Sequence, residues 1–262
     1  MKASDYKASA ARHIIVYGAP KTGKTELVGT LAEKYHLWWL NLDDGIKTLF
    51  RPDSAAHKYL DNIELFNIPD KQTWPIAIET VLKILRGGAV SICHKHGKVS
   101  CPVCKTAPSS SINLDEFDVK KDILVIDHYT QLMDSVMNRI HKDALQAENW
   151  DDLKSTFHEW MKQGAMSDRI GSTLQCAPYN AVIISHEITA EMEDGTKKIT
   201  PVGGTRNKSA DFARYFDDVV YTEIVGGQYK AYVSAGDKSR IVIGSRTGKK
   251  FSPKAKLWEL FE

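Results

Sequence analysis

Short apolar runs, each followed by a polar or glycine-rich segment, recur along the chain and predict buried strands. They occupy residues 13–17, 37–40, 123–126 and 181–185. Continuous apolar runs of this length are typical of strands buried on both faces, as in a parallel sheet. Helices are predicted after residue 25, at 74–86 and across 129–177. The pattern therefore predicts an α/β fold with a mainly parallel central sheet flanked by helices.

Two further segments have the pattern of antiparallel pairs. One begins at Glu187, alternates between apolar and polar residues, and is expected to turn at Asp194 and Gly195. Near the C-terminal end, strands at 229–234 and 240–243 are predicted to form an antiparallel edge of the sheet.

The helix expected around residues 151–163 is amphipathic. Asp151 and Asp152 are expected to cap its start. Its apolar positions share one face: Leu153, Phe157, Trp160 and Met161. We expect this face to pack against one side of the sheet.

Length and composition favour one domain. The chain has 262 residues, of which 42% are hydrophobic, enough for one sizeable core, so a single domain over 1–262 is predicted. No run of 18 apolar residues occurs and the first 13 residues have no apolar core, so we expect a cytoplasmic protein. Lys and Arg number 35 against 33 Asp and Glu, and any contact with nucleic acid must therefore use a local patch.

A glycine-rich turn joins the first predicted strand to the helix after it. It reads G-x-x-x-x-G-K-T: Gly18, Ala19, Pro20, Lys21, Thr22, Gly23, Lys24 and Thr25. Backbone N–H groups of such a loop surround phosphates, the lysine contacts the β- and γ-phosphates, and the threonine hydroxyl binds Mg²⁺. The sequence therefore predicts a nucleoside triphosphate site, with ATP as the expected nucleotide.

Polar residues follow three of the predicted strands. Asp127 ends the run at 123–126 and is expected, with Thr25, to hold Mg²⁺ as the Walker B residue. Ser185 and His186 end the run at 181–185 and are expected to sense the γ-phosphate. Asp43 and Asp44 follow the run at 37–40, which we expect beside the P-loop strand. One of them is expected to orient the attacking water, although helix capping is an alternative.

This order of motifs, followed by the segment PVGGTRNKSADFARYFDDVVY, resembles the core of RecA-type ATPases. It is most similar to the compact RecA-like ATPases of bacteriophages, some of which act in recombination as single-strand annealing proteins. The resemblance implies that Asp44, or alternatively Asp43, is the catalytic acid, where RecA-type enzymes usually have glutamate. It also implies that His186 is the sensor. Arg246, or as second choice Arg240, would reach the nucleotide site of a neighbouring subunit in a filament or ring; a solvated basic tail is the alternative.

The resemblance places a DNA-facing loop after His186. Four cations in it are expected to bind phosphates of single-stranded DNA: Lys197, Lys198, Arg206 and Lys208. Gly203 and Gly204 would permit close approach of the backbone. The alternative is an ordinary solvated hairpin, since the segment has few aromatic residues for base stacking. A single-stranded-DNA-binding protein or another recombination factor is a further expected partner.

Three cysteines and two histidines occupy the twelve residues CHKHGKVSCPVC. Cys93, His96, Cys101 and Cys104 form two pairs with the spacing of a structural Zn²⁺ site, with His94 as the alternative fourth ligand. We expect a zinc-knuckle insertion over 88–112; free or redox-active thiols are the alternative. Cys176 is expected to be a small core residue.

The sequence thus predicts a Mg²⁺-dependent ATPase, stimulated by single-stranded DNA, that acts in phage recombination or annealing in the host cytoplasm. Two alternatives remain open. One is a nucleotide-switched adaptor, such as a helicase loader, that recruits a protein partner. The other is a ring-forming DNA translocase.

Overall fold

A nine-stranded sheet, mostly parallel, forms the centre of the part of the chain that the computed structural model describes, residues 10–70, 75–104, 109–148, 154–233, 240–248 and 256–262. The described strands are β1 His13–Gly18, β2 His36–Asn41, β3 Ile63–Asn67, β4 Ala89–Cys93, β5 Ser109–Asn113, β6 Asp122–Asp127, β7 Asn180–Glu191, β8 Lys197–Pro201, β9 Asp218–Val225, β10 Gln228–Tyr232 and β11 Gly244–Ser245. Nine of them form this sheet, and β4 and β5 pair with each other in a separate two-stranded sheet. The helices are α1 Lys24–Gly29, α2 Ile76–Leu85, α3 Tyr129–Ile140, α4 Lys142–Gln146, α5 Phe157–Gln175 and α6 Arg206–Phe212. Short 3-10 turns occupy Thr30–Glu33, Gly45–Phe50, His57–Asn62, Leu114–Glu116, Ala213–Tyr215 and Leu257–Leu260.

The order of the strands brings the predicted functional segments to one edge of the sheet. It runs β10-β9-β1-β7-β6-β2-β3, with β11 paired to β9 and β8 to β7. Strands β1, β2, β6 and β7 are parallel, so their carboxyl ends lie on the same side. The expectation that β2 lies beside the P-loop strand is wrong, because β7 and β9 flank β1 and β2 pairs with β6.

Alternate residues of the central strands enter two separate cores. Ile14 and Val16 of β1 face a core completed by α1 and the C-terminal 3-10 turn, whereas Ile15 and Tyr17 face one completed by α2, α3, α5 and α6. Burial on both faces explains the continuous apolar runs in the sequence. The predicted α/β class, with a mainly parallel sheet between helices and an antiparallel C-terminal edge, is confirmed.

The antiparallel hairpin after His186 is confirmed as well. Strand β8 pairs with the second half of β7, and the connection turns between Met192 and Thr196. The strand predicted at 240–243 is wrong. Ile199 of β8 bonds to both Arg240 and Val242, so this segment pairs at a single residue, and the next strand is the two-residue β11.

Helix α5 differs from its prediction in two ways. It starts at Phe157, where Thr156 and Glu159 form a capping box; the expected caps at 151 and 152 lie outside the described residues. The face predicted to pack on the sheet is exposed at Phe157, Trp160 and Met161. The buried face instead carries mostly small or polar residues: Gln163, Gly164, Ser167, Ile170, Gly171 and Leu174.

Residue Cys176, expected in the core, is exposed at the end of α5. That prediction is wrong because the helix ends one residue earlier and Ala177 takes the buried position. None of the helices within the described ranges is long and apolar enough to cross a membrane.

Candidate functional site

The glycine-rich turn between β1 and α1 has a backbone that most side chains would disturb. Gly23 has φ of +82°, and a Cβ on Gly18 would lie 2.2 Å from the Thr222 carbonyl oxygen of β9. Lys24 is buried, and its Nζ donates to the carbonyl oxygens of Gly18, at 3.0 Å, and Ala19, at 2.7 Å. The ammonium group therefore lies on the inner side of the loop, where a phosphate chain would meet it.

Burial lowers the pKa of Lys24 to about 8, and the nearby carboxylates of Asp127, Glu187 and Asp43 oppose that shift. An anion beside Lys24 would favour its charged form further. The loop thus combines a cation with backbone that can approach a ligand closely.

Three oxygen atoms from separate segments surround one small space beside Gly45. A Cβ placed on Gly45 would lie 3.0 Å from Asp43 Oδ1, 3.5 Å from Asp127 Oδ2 and 3.6 Å from Thr25 Oγ1. Two carboxylates and a hydroxyl are hard oxygen ligands of the kind that Mg²⁺ takes. The structure therefore brings together the two residues predicted to hold Mg²⁺, Thr25 and Asp127.

The Asp127 carboxyl group is buried at the tip of β6, and neither of its oxygens has a hydrogen-bond partner within the described residues. Burial, together with the charge of Asp43, raises its pKa to about 8. An unpartnered buried carboxylate is costly unless a cation or a proton compensates it. This chemistry fits a divalent cation next to Asp127.

Asp43 and Asp44 are neighbours in sequence, but their side chains lie in different surroundings. Asp43 lines the same cavity as Lys24 and accepts a hydrogen bond from Gly45 N at 2.9 Å. Asp44 has φ of +70° and points to the surface, where it pairs with Lys47 at 2.5 Å. The first choice from the sequence, Asp44, thus lies outside the cavity, and its stated alternative Asp43 lies inside.

Two histidine rings lie together opposite the P-loop. His186 is the last residue of β7 that pairs with the P-loop strand and His128 follows β6, and their ring centroids are 4.0 Å apart. Burial lowers the pKa of both, that of His128 to about 4, with further lowering at His128 from His186 and at His186 from Lys24. Both rings are therefore neutral at neutral pH. Sequence analysis identified His186 but missed His128, whose position directly after the Walker B aspartate was an available signal.

A cavity of about 420 Å³ joins these groups. Besides the P-loop residues, Asp43 and the histidines, it is lined by Arg51 and Tyr229. Arg51 is paired with Glu26, at 3.4 Å, and Tyr229 of β10 lies with its ring against Gly23 while 60% of the residue stays exposed. Neither was identified from the sequence: Tyr229 is far along the chain from the motifs, and Arg51 reaches the cavity only through the path of the 3-10 turn Gly45–Phe50.

The predicted sensor is joined directly to the predicted DNA-facing segment. His186 O accepts a hydrogen bond from Val202 N at 2.9 Å, and Ser185 Oγ donates to Val202 O at 3.1 Å. Val202 immediately follows β8, which carries Lys197 and Lys198. A shift of His186 would therefore move the base of this hairpin.

The four predicted DNA-binding cations divide into two pairs. Lys197 and Lys198 lie on β8, whereas Arg206 and Lys208 lie in the first turn of α6. Lys208 pairs with Asp168 of α5 at 2.5 Å, which reduces its availability. The two glycines before α6 have structural reasons. Gly203 is buried, and a Cβ there would lie 2.3 Å from Phe212, so close approach of DNA to Gly203 is not its role. Gly204 has φ of +107°, which favours glycine.

Arg246, the residue predicted to reach a neighbouring subunit, lies away from the cavity of its own chain. Its guanidinium donates to the Arg214 carbonyl oxygen and lies 3.9 Å from Asp217 Oδ1. Arg240, the second choice, is exposed. The role in a neighbouring site stays a prediction for both.

The four predicted zinc ligands meet at the end of the β4–β5 hairpin. The ligand atoms of Cys93, His96, Cys101 and Cys104 all lie within 4.8 Å of one another. Desolvation would raise the pKa of Cys101, but hydrogen bonds from backbone N–H groups and the His96 ring lower it to about 6, which favours the thiolate. The alternative ligand His94 instead contacts Ser110 Oγ, at 3.0 Å. The donor set fits tetrahedral Zn²⁺.

The loop between β4 and β5 contacts the edge of the main sheet at Gly97. This glycine has φ of +59°, and a Cβ there would lie 2.6 Å from Asn67 O at the end of β3. Thr80 of α2 donates to Gly97 O at 3.0 Å. The cysteine and histidine cluster thus lies at the same edge of the sheet as the carboxyl ends of the strands.

Comparisons with known proteins identify a family for this chain. The family model described as AAA domain matches residues 10–247, which is most of the chain. A solved KaiC-like protein from the hyperthermophilic archaeon Pyrococcus horikoshii is similar at 12% identity and a TM-score of 0.37, over 84% of this chain and 76% of that one. No curated protein matches. Because this family model matches most of the chain, the chain belongs to the AAA domain family of P-loop ATPases.

Proposed function

We propose that this ATPase binds and hydrolyses ATP with Mg²⁺ and uses the bound nucleotide to control binding of single-stranded DNA. The setting we propose is recombination or annealing of the kind that phage RecA-like proteins perform. The observation that supports the proposal is the main-chain hydrogen bond from Val202 N to His186 O, because it would join a γ-phosphate sensor to a hairpin that carries two lysines.

At the nucleotide, each residue has a physical role. The P-loop N–H groups and Lys24 bind the β- and γ-phosphates. Thr25 and Asp127 would hold Mg²⁺, which neutralises charge on the phosphate oxygens when bound. Asp43 orients the attacking water and accepts its proton as the water oxygen bonds to the γ-phosphorus and the bond to the ADP oxygen breaks. Tyr229 offers an exposed ring beside the P-loop on which the base can stack.

The switch would operate through His186. A neutral imidazole can hydrogen-bond a γ-phosphate oxygen, and loss of that phosphate removes the bond. Because His186 and Ser185 both bond to Val202, the change reaches the base of the β7–β8 hairpin. DNA affinity would then depend on the nucleotide by linkage, and DNA would in turn alter nucleotide affinity.

The test is the affinity of the protein for an oligo-thymidylate, measured by anisotropy with Mg²⁺ and a non-hydrolysable ATP analogue or ADP. We expect tighter binding with the triphosphate. Replacing Lys197 and Lys198 by Ala should weaken binding roughly tenfold at low salt, since each lysine releases counterions from the DNA.

A matched control exists at the opposite edge of the sheet. Lys120 and Lys121 are also adjacent and exposed, but they precede β6. Replacing both by Ala removes the same charge and should leave DNA affinity within about twofold of the wild type. Equal losses in both double variants would show a general charge effect and remove the hairpin from the proposal.

An apolar cavity beside the cysteine cluster favours a second candidate, the nucleotide-switched adaptor. About 440 Å³ in volume, it is lined by Pro69, Ile76, Pro102 and Val103 among others, and Val103 is 79% exposed. A surface of this kind suits a protein partner. The adaptor would bind its partner according to the nucleotide and would show no nucleotide-dependent DNA affinity.

A further inference from the structure

Three large apolar side chains at the start of α5 lie on the surface next to α6. Phe157 is 81% exposed, Met161 57% and Trp160 43%. Together with Ile188 of β7 and the first turn of α6 they line an open groove of about 650 Å³. A contiguous exposed apolar patch on a folded domain marks a binding surface.

The orientation of α5 keeps these side chains on the surface. The opposite face of the helix is held against the domain, since Ser167 donates to the Gly203 carbonyl oxygen. The helix therefore cannot turn its aromatic face inward without breaking that contact. Its first turn is closed by a capping box of Thr156 and Glu159, with Thr156 N donating to Glu159 Oε2 at 2.7 Å.

The charge around the groove is positive. Arg206 and Lys208 line it, and none of its described lining residues carries a carboxylate. The stem of Lys208 lies across Gly164 of α5, where a Cβ would be 3.1 Å from Lys208 Cγ, and its ammonium pairs with Asp168. Arg206 is exposed and takes part in no ion pair among the described residues, so its guanidinium faces the solvent at the rim.

The groove is also continuous with the nucleotide-linked hairpin. Ile188 follows His186 by two residues on β7 and pairs with Thr200 of β8. A ligand in the groove would thus contact the strand whose other half ends at the ATP cavity.

We propose that this groove binds the bases of single-stranded DNA: unpaired bases stack on Trp160 and Phe157 while Arg206 binds an adjacent phosphate. The inference rests on the proposed function. It adds a surface for base stacking, which the basic hairpin lacks, because β8 has no aromatic residue and Phe212, the aromatic residue of α6, is buried. Stacking on aromatic rings beside a cationic path is how proteins hold single strands without reading sequence.

Single strands fit the groove better than a duplex or an apolar protein segment. A duplex hides the faces of its bases within the stack, so the rings would have nothing to bind. An apolar segment would leave the Arg206 guanidinium without a partner, whereas a phosphate offers it charge-assisted hydrogen bonds. Together, exposed rings and an available guanidinium match the alternation of base and phosphate.

The experiment compares an oligo-thymidylate with an abasic strand of equal length, both measured by anisotropy with Mg²⁺ and a non-hydrolysable ATP analogue. The wild type should bind the thymidylate roughly tenfold more tightly than the abasic strand. Trp160→Ala and Phe157→Ala should each lose most of that preference, and Trp160→Phe should keep much of it. Arg206→Gln should weaken binding of both strands by the same factor, because both carry phosphates.

Phe50→Ala is the control, since Phe50 is 51% exposed elsewhere on the surface and should keep the wild-type preference. All variants change exposed side chains, and a thermal melt checks that they are folded. Wild-type protein that binds neither strand would overturn the proposed function and this inference together. Wild-type protein that binds DNA while the Trp160 and Phe157 variants keep the full preference would overturn the groove alone. Variants that lose self-association at unchanged DNA preference would assign the groove to contacts between copies of the chain and so also overturn it.

Discussion

Asp127 shows why the carboxylate groups at this edge of the sheet need a cation. Its two oxygens are buried without hydrogen-bond partners in the described part of the chain, and Asp43 is near enough to raise its pKa. Two carboxylates that share a site repel each other unless a positive charge lies between them or a proton is taken up. Thr25 on the other side of the same space completes a set of ligands that suits Mg²⁺.

The neighbouring aspartates allow a sharp test of the catalytic acid. Asp43→Asn should lower the rate of ATP hydrolysis by about 100-fold or more, because the amide cannot accept the proton of the attacking water. Asp44→Asn should change the rate less than about twofold, since Asp44 pairs with Lys47 at the surface. Phosphate release at saturating ATP measures both. A large loss in Asp44→Asn with activity kept in Asp43→Asn would reverse the assignment.

The ring of Tyr229 leads to a second test at a single position. Tyr229→Ala should weaken ATP binding roughly tenfold and leave the affinity for inorganic triphosphate unchanged, because only ATP has a base to stack. Tyr229→Phe should behave like the wild type, since stacking needs the ring and not the hydroxyl. Calorimetric titration with both ligands measures this. An equal loss for ATP and triphosphate in Tyr229→Ala would show that the ring supports the P-loop at Gly23 and does not hold the base.

Among the elements, the loop that closes the β4–β5 hairpin is the one that a bound metal would stabilise most directly. The strands themselves pack on the main core through Val90, Ile92 and Ile112. The loop has less support: Gly97 contacts the end of β3 and accepts a hydrogen bond from Thr80 of α2. A Zn²⁺ ion bound to the four ligands would hold this loop in place.

Removal of zinc should therefore destabilise the hairpin. We expect one zinc per chain by metal analysis, lost in Cys101→Ser and kept in the control Cys176→Ser, whose thiol is exposed at the end of α5. A chelator should lower the melting temperature of the wild type by roughly several degrees and leave the melting temperature of Cys101→Ser unchanged. Zinc absent from purified wild-type protein that melts identically with and without chelator would contradict the site.

Some elements followed from the sequence and others did not, for physical reasons. The P-loop and the strand ending at Asp127 are local patterns in which each residue's role depends on its near neighbours. The place of β2 beside β6 depends on pairing between distant strands, which no local pattern encodes. The exposed face of α5 was missed because a rule that buries apolar residues cannot recognise apolar residues that stay on the surface. Tyr229 comes near the P-loop only through the fold.

For the molecule as a whole, two regions share strand β7. Its first half pairs with the P-loop strand and ends at His186, and its second half forms the hairpin with Lys197 and Lys198 and contributes Ile188 to the aromatic groove. A ligand bound at one of these regions can alter the ligand affinity of the other, provided that ATP and ADP hold His186 differently. The division into one domain over 1–262 with an insertion at 88–112 stays a prediction, as does assembly into a filament or ring.

The central claim is that ATP hydrolysis and single-stranded DNA binding are coupled. The measurement that tests it most directly is the rate of phosphate release from ATP by zinc-replete protein, with and without an oligo-thymidylate, alongside Lys24→Ala. The account predicts that DNA raises the rate of phosphate release by the wild type roughly several-fold, and that Lys24→Ala is inactive under both conditions. A wild-type rate that is the same with and without DNA would contradict the coupling, and activity retained in Lys24→Ala would contradict the nucleotide site.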